Sequence, residues 1–164
     1  MMNLLLSPSG RIGPSAYMKG MIIIAVIGAV INLLPLISPA LGILGLLGLV
    51  LFYSLIALGI KRSHDAGKSG WMVLTHILLV FGVGTAVSIV VAMVTGVNLG
   101  DIFGAAFSGD LEAAEAASAA VSSPGYLIPS AIGGIASYAI SAFLINMFNK
   151  QDMGDNQYGP VPAA

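Results

Sequence analysis

Cysteine is absent from this chain of 164 residues, and charged residues make up only 8% of it. The first absence excludes disulfides, thiolate metal sites and a thiol nucleophile. The second excludes an ordinary soluble domain, in which about a quarter of the residues carry charge and help to cover the surface. A net charge of −1 excludes the broad basic field that nucleic-acid binding requires. We therefore expect a membrane protein whose solvent is the lipid bilayer, with no nucleic-acid partner.

Four apolar segments are long enough to cross a bilayer, which takes about 20 residues. They cover approximately residues 17–38, 40–60, 71–96 and 126–148. Because Pro39 cannot continue a helix, the first two segments are predicted to form an antiparallel hairpin. A single broken helix or a re-entrant pair is the alternative for this run. The sequence thus predicts an all-α membrane protein, a bundle of four transmembrane helices forming one domain over residues 1–164.

The placement of cations predicts the orientation of these spans. Lys and Arg in short flanking segments stay on the cytoplasmic side of a membrane. All six flank the same ends of the predicted spans: Arg11, Lys19, Lys61, Arg62, Lys68 and Lys150. We therefore predict cytoplasmic N- and C-termini, a cytoplasmic loop from residue 61 to residue 70 and a cytoplasmic tail from residue 149 to residue 164. Arg11 follows the first apolar residues instead of preceding them, so we expect no cleaved signal peptide.

The predicted outer segment, residues 97–125, is rich in alanine and carries four acidic residues but no cation. Acids near its start favour a short helix through the helix dipole. A flexible solvated spacer is the other interpretation. Small residues also recur within the spans, as Gly42, Gly45 and Gly48 in the second and as Gly133, Ser137 and Ser141 or Ser130 and Gly134 in the fourth. Such rows let helices approach closely, either within one bundle or between two copies of the chain.

Few polar side chains interrupt the spans. His76 is the only ionisable one within a predicted core, and Asn32 lies toward the opposite end of the first span. Because no second histidine lies on a facing span, haem or metal ligation is disfavoured, and a packed interfacial histidine is the simpler interpretation. Gly67-Lys68-Ser69 resembles the end of a phosphate-binding loop but lacks the earlier glycine and the strand–helix context. The sequence thus predicts no catalytic, metal or cofactor site.

The loop between spans two and three has a mainly structural interpretation. Gly59 and Gly67 permit chain reversals, Ser69 is a natural N-cap for span three, and Trp71 would anchor that span at the interface. The remaining pair, His64-Asp65, belongs either to an ion-pair network or to an acid–base or metal site. The network is favoured because the sequence offers no nucleophile or further ligand at a fixed spacing.

Three separated motifs carry a family resemblance. They are residues 10–12, residues 61–71 and the tail motif of residues 154–162. Together they resemble the family of domain of unknown function 805, small bacterial inner-membrane proteins. The resemblance implies a compact helical bundle in the bacterial inner membrane, and it implies no activity, so no catalytic residue is transferred.

The predicted topology brings all three motifs to one face, where the tail would close over Arg62, His64 and Asp65. This candidate cap comprises Arg11, Arg62, His64, Asp65, Lys68, Ser69, Trp71, Asp155, Asn156 and Tyr158. The leading hypothesis is a non-enzymatic protein whose cap binds a membrane-protein partner or a second copy of the chain, as an accessory subunit of a larger complex. The alternatives are a protein that handles anionic lipid or transports a small solute and, more remotely, an intramembrane enzyme using His64 and Asp65.

Overall fold

The computed structural model describes residues 2–162, with side chains from residue 3 onward. This part of the chain is almost entirely helical and contains no strand. Its α-helices are α1 (Met2–Leu6), α2 (Pro14–Leu33), α3 (Gly48–Asp65), α4 (Val73–Thr95), α5 (Leu99–Ser108), α6 (Leu111–Ser122) and α7 (Pro124–Phe148). Three 3₁₀ segments, Leu34–Leu36, Pro39–Leu47 and Gly70–Met72, extend the ends of α2, α3 and α4. The end residues of the predicted domain, 1, 163 and 164, lie outside the described residues.

Four helical stretches are long and apolar enough to cross a membrane: Pro14–Leu36, Pro39–Asp65, Gly70–Thr95 and Pro124–Phe148. The predicted fold class is confirmed, and the chain is a multi-pass membrane protein. Pro39 starts its own 3₁₀ segment after Ser38, which is extended with φ −157° and ψ 132°. The chain thus forms two separate helices at this point, as the hairpin prediction requires, and not one broken helix. Helix α2 packs against α3.

The main correction to the predicted bounds concerns the second span, which ends at Asp65 and not at residue 60. Residues 61–65 were predicted to belong to a loop, and that prediction was wrong. The helix continues because Lys61, Arg62 and Asp65 are buried and bond to Asn3, Asn146 and Arg11, respectively, in other segments. Charged residues in transmembrane helices usually face the protein interior and pair with other groups there.

The segment between α4 and α7 is helical, which settles the two interpretations of residues 97–125. Asn98 caps α5 by accepting a hydrogen bond from the backbone of Gly100, and Asp110 caps α6 by accepting from the backbone of Glu112. Each side-chain cap satisfies a backbone N–H that has no partner within the helix. Gly109, with φ +71°, forms the left-handed turn that separates the two helices.

Helix α7 lies along both α2 and α4 and holds the bundle together. A Cβ atom on Gly133 would lie 3.0 Å from side-chain carbons of Val87 and of Val91 in α4, so this glycine allows the close approach of α7. The small-residue row of the fourth span therefore packs within the bundle. Space is open around Gly42, Gly45 and Gly48, where an added Cβ would meet nothing within 4 Å.

Candidate functional site: the polar cap

Three distant parts of the chain meet at one end of the bundle. The backbone of Ile12, before α2, donates to the carbonyl of Lys61 at 3.4 Å, and the backbone of Asp152, after α7, donates to the carbonyl of Asp65 at 2.8 Å. The C-terminal turn of α3 is thus held between the two ends of the chain. We call the side chains assembled here the polar cap: Arg11, Arg62, His64, Asp65, Lys68, Asn149, Asp152, Asn156 and Tyr158.

Arg62 lies at the centre of the polar cap and is completely buried. Its Nε donates to Asn146 Oδ1 at 2.8 Å, its Nη1 donates to Asp65 Oδ2 at 2.9 Å, and its Nη2 donates to the carbonyl of Asn149. The planar guanidinium presents several donors in a fixed fork, which suits such divided bonding. Arg62 therefore joins α3 to the end of α7.

The carboxylate of Asp65 is bound by two arginines, Arg62 and Arg11. Its side chain is fully buried, and Arg11 Nη2 lies 3.3 Å from Asp65 Oδ1. Gln151 Nε2 donates to the same oxygen at 3.4 Å. One negative charge thus lies between two guanidinium groups, and a buried carboxylate needs such partners because its desolvation is costly.

Arg11 connects this buried charge to the tail. Its Nη1 donates to the carbonyls of Gly154 and Gly159 at 2.8 and 3.1 Å, and its Nη2 donates to the carbonyl of Asp152 at 2.6 Å. Charge-assisted hydrogen bonds are stronger than neutral ones. Residues 152–159 are therefore held in a turn around a single guanidinium.

The tail also covers His64 directly. The rings of His64 and Tyr158 are stacked, with centroids 3.8 Å apart and planes 5° from parallel. Asn156 Nδ2 donates to the carbonyl of His64 at 3.1 Å, and His64 Nδ1 lies 3.1 Å from the carbonyl of Gly10. The predicted closure of the tail over His64 is confirmed.

Asp152 shapes the turn that the tail makes. Its carboxylate accepts from the backbone of Gly154 at 3.2 Å and from Asn156 Nδ2 at 3.2 Å. These hydrogen bonds, with a smaller contribution from the charge of Arg11, hold the pKa of Asp152 below its usual value. The ionised carboxylate therefore favours the docked tail.

A polar chain continues from the cap into the bundle through Asn149. Lys68 Nζ donates to Asn149 Oδ1 at 2.8 Å, and Asn149 Nδ2 lies 2.9 Å from His76 Nε2. Since the amide nitrogen donates, His76 Nε2 accepts, and the proton of a neutral imidazole lies on Nδ1. His76 is buried, and its ring lies 6.2 Å from that of Tyr17. The Tyr17 hydroxyl and His76 Nδ1 have no hydrogen-bond partner among the described residues.

Two glycines around the cap have different roles. Gly67, with φ +67°, makes the predicted reversal after α3. Gly59 does not, because it lies within α3, where an added Cβ would be 2.7 Å from Val73 and 3.2 Å from His76 Nδ1. Because Gly59 has no side chain, α4 can bring Val73 and His76 close to α3.

A family model described as "Protein of unknown function (DUF805)" matches residues 5–160, nearly the whole chain. The chain belongs to this family. No curated protein and no solved structure matches it. The matched range includes all three segments that form the polar cap.

In this member of the DUF805 family, seven of the ten residues predicted for the candidate cap come together. Arg11, Arg62, His64, Asp65, Lys68, Asn156 and Tyr158 belong to the polar cap. Ser69 instead caps the 3₁₀ turn by accepting from the backbone of Trp71 at 3.4 Å, as predicted. Trp71 is 79% exposed, and Asp155 accepts from the backbone of Val161 within the tail. Among the described residues, these three side chains form no hydrogen bond or ion pair with Arg62, Asp65 or Arg11.

The sequence prediction missed several residues that hold the cap of this DUF805 protein together. Asn146 accepts from Arg62 and donates to the carbonyl of Pro14 at 3.0 Å. Asn149 is 4% exposed and contacts Lys68, His76 and Arg62. The available signal was the presence of two asparagines in the last turn of an apolar span, where polar side chains usually have a partner in the protein.

The side chains of the polar cap bond to other parts of the chain and hold them together. His64 and Asp65 are neighbours in sequence, yet the imidazole stacks on Tyr158 while the carboxylate bonds two arginines. Neither group is directed at the other, as an acid–base pair would require. Among residues 2–162, no cluster of three or more potential metal-ligating side chains occurs. The contacts of the polar cap therefore hold the tail against the C-terminal end of α3.

Proposed function

We propose that this chain is a non-enzymatic protein of the bacterial inner membrane whose polar cap faces the cytoplasm and binds a protein partner, as an accessory subunit of a larger membrane complex. The observation that carries the proposal is the ordered tail. Arg11 and the His64–Tyr158 stack hold residues 152–159 in one conformation, and a surface that is already ordered loses less conformational entropy on binding.

The cytoplasmic orientation rests on the distribution of cations. Arg11, Arg62 and Lys68 belong to the polar cap, and Lys61 lies beside it at the same end of α3. The segment at the opposite end contains α5 and α6, and all of its charged residues are acidic. Positive residues are retained in the cytoplasm during insertion, so the polar cap is assigned to that side.

The exposed face of the cap provides a surface for a partner. Met153 in the tail is 80% exposed, and Trp71, in the 3₁₀ segment before α4, is 79% exposed. Aromatic and methionine side chains are enriched in the centres of protein interfaces. The buried charges beneath would fix the position of this surface without contacting the partner themselves.

The burial of the cations weighs against the handling of anionic lipid. The Arg11 and Arg62 side chains are 1% and 0% exposed, and Lys61, 3% exposed, donates to the carbonyls of Asn3 and Leu4. An attraction of about 1 kcal/mol per basic residue requires each charge to lie near the lipid surface. Four cations at this end, Arg11, Lys61, Arg62 and Lys68, could attract anionic headgroups, and the first three bond to groups inside the protein.

A site-specific photocrosslinking experiment tests the proposal. A benzophenone amino acid placed at Met153 is expected to give a discrete protein adduct in native membranes. The same group at Phe143, which is 62% exposed on α7, is the control that faces the bilayer. Arg11→Ala should abolish the Met153 adduct by releasing the tail, whereas Lys19→Ala, at an exposed cation, should preserve it.

Three results would contradict the proposal. A folded protein that gives no Met153 adduct has no partner at this surface. An adduct whose mass equals two copies of the chain indicates a homo-oligomer and not an accessory subunit. An adduct that forms equally well with the Arg11→Ala variant shows that the ordered tail is not the binding surface.

A further inference from the structure

Three cavities lie side by side within the membrane-spanning part of the bundle, with volumes of about 190, 240 and 330 Å³. The first and second share Gly134, the second and third share Gly84 and Ser137, and the first and third share Tyr138. Each cavity shares lining residues with the other two, so the three are neighbours, and we call them together the central cleft. It is separate from the polar cap.

The central cleft opens toward the bilayer between α3 and α4. Phe52 of α3 and Phe81 of α4 line its largest cavity and meet edge to face, with ring centroids 6.5 Å apart. Their side chains are 39% and 59% exposed, so one side of each ring faces lipid. A molecule dissolved in the membrane could therefore reach the largest cavity beside this pair of rings.

The lining of the cleft combines apolar walls with a few polar groups. Ser88 and Ser137 donate to carbonyls of their own helices, those of Thr85 and Gly134. The Tyr138 hydroxyl makes no hydrogen bond with any described residue, and the backbone of Tyr138 lies about 15 Å along α7 from Phe148, within the span. A polar group at this depth lacks water, so a missing partner costs free energy.

The composition of the lining defines the chemistry of an occupant. The polar residues that line the cleft are Asn32, Thr85, Ser88, Tyr126, Ser130, Ser137 and Tyr138, and none of the lining residues is charged. An ionised group would be unpaired there and strongly disfavoured. Ligand sites typically enclose about 300–1,000 Å³ with apolar walls and few polar groups, and the largest cavity of the central cleft, at about 330 Å³, falls within this range.

We propose that the central cleft binds one neutral lipid-like molecule, whose hydroxyl or carbonyl oxygen accepts a hydrogen bond from Tyr138. Its apolar chain lies against the pair of rings formed by Phe52 and Phe81 and continues into the bilayer. The proposal is independent of the function assigned to the polar cap, because the two sites use different residues.

The test uses the full-length protein in phosphatidylcholine nanodiscs with a diazirine-bearing hexadecanol as the probe. Irradiation should label peptides that line the cleft, and an excess of unlabelled hexadecanol should compete with this labelling. Unlabelled hexadecane, which has no polar oxygen, should compete about fivefold less well, as expected for the loss of one hydrogen bond. Palmitate at alkaline pH should compete poorly because it is charged.

Two glycines supply a matched pair of variants. A Cβ atom on either Gly82 or Gly84 would meet nothing within 4 Å, but only Gly84 lines the cleft. Gly84→Leu should fill the cleft and remove the competed labelling, whereas Gly82→Leu, which makes the same change on the same helix, should leave it intact. Gly134→Leu, at another shared wall, should repeat the Gly84→Leu result.

Tyr138→Phe tests the polar contact without changing the shape of the cleft. It should weaken competition by hexadecanol about fivefold and leave competition by hexadecane unchanged. The proposal is overturned if labelling is equal in Gly82→Leu and Gly84→Leu, which indicates surrounding bulk lipid only. It is also overturned if palmitate competes best, or if Ser137→Cys reacts rapidly with a membrane-impermeant thiol reagent, which indicates a water-filled space.

Discussion

At the scale of single residues, Arg62 is the most consequential side chain of the polar cap. It is fully buried, and its three nitrogens bond Asn146, Asp65 and the backbone of Asn149. Truncating it removes the donor to Asn146 Oδ1, to the carbonyl of Asn149 and to Asp65 Oδ2, and leaves Asp65 with Arg11 and Gln151 on its other oxygen only. The cost of such a change depends less on the lost attraction than on the groups left unpaired.

We predict that Arg62→Ala lowers the free energy of unfolding by about 3–5 kcal/mol, the usual effect of removing one partner of a buried ion pair. Denaturant unfolding in detergent micelles measures this change. Lys19→Ala, at an exposed position in α2, is the control and should have little effect. A loss below about 1 kcal/mol for Arg62→Ala, the range of exposed ion pairs, would contradict a central role for Arg62.

Tyr17 presents the opposite case. Its side chain is fully buried, and its hydroxyl has no hydrogen-bond partner among the described residues. We predict that Tyr17→Phe leaves the free energy of unfolding unchanged or raises it by up to about 1 kcal/mol, because the change removes an unsatisfied polar group and preserves the ring. Thermal unfolding of the two proteins in one detergent makes the comparison. A clear destabilisation would show that the hydroxyl has a partner, such as a buried water molecule.

At the scale of elements, the tail is held by its carbonyls and not by its side chains alone. Arg11 donates to the carbonyls of Asp152, Gly154 and Gly159. The tail contains no helix or strand between residues 150 and 162, apart from one bridge between Asn156 and Gly159. Its order therefore depends on contacts with other parts of the chain.

We predict that Arg11→Ala releases the tail and speeds tryptic cleavage after Lys150, an exposed residue. Cleavage should be at least about tenfold faster, because more than one charge-assisted hydrogen bond is lost. Mass spectrometry at successive times measures the loss of residues 151–164 and hence the cleavage rate. Cleavage of Arg11→Ala at the wild-type rate would show that other contacts suffice to hold the tail.

The docked tail should also depend on pH through Asp152. Its pKa is lower in the docked state than in the released state, so the stabilisation is present above the usual Asp pKa of about 3.9 and is lost as the pH falls through the lower, docked value. A fluorophore on Gln157→Cys should therefore gain mobility only at acidic pH, which its anisotropy measures. Adding Asp152→Asn should remove this step, and a step that persists would assign the pH dependence to another group.

At the scale of the whole molecule, an even number of spans brings both ends of the chain to one face. The described residues confirm this arrangement, since Arg11 and Gly154 are in contact. The side of the membrane on which this face lies is part of our proposal, which rests on the positions of the Lys and Arg residues.

Because the chain has no cysteine, single-cysteine variants can test the orientation without background labelling. We predict that a membrane-impermeant maleimide labels Ser122→Cys, at the end of α6, in intact cells. Gln157→Cys, in the tail, should react only after the inner membrane is permeabilised. Both native positions are exposed, so accessibility within the protein is matched. The reverse pattern would show that the polar cap faces outward.

The sequence alone determined the fold class, the number of spans and the placement of all cations at one end. These features follow from the bilayer, which requires about 20 apolar residues per helix and leaves no backbone polar group unsatisfied. The meeting of the tail with His64 was also predictable, because an even number of spans places the motifs on one face.

Only the tertiary structure decided which polar groups form partners. The extension of α3 to Asp65, the sharing of that carboxylate by Arg11 and Arg62, and the part played by Asn149 depend on contacts between segments far apart in the chain. No local pattern encodes such contacts, because burial alone makes a charged side chain favour one internal partner over water. Lys61 illustrates the reason: the sequence marks it as a loop cation, whereas the fold buries it against the carbonyls of α1.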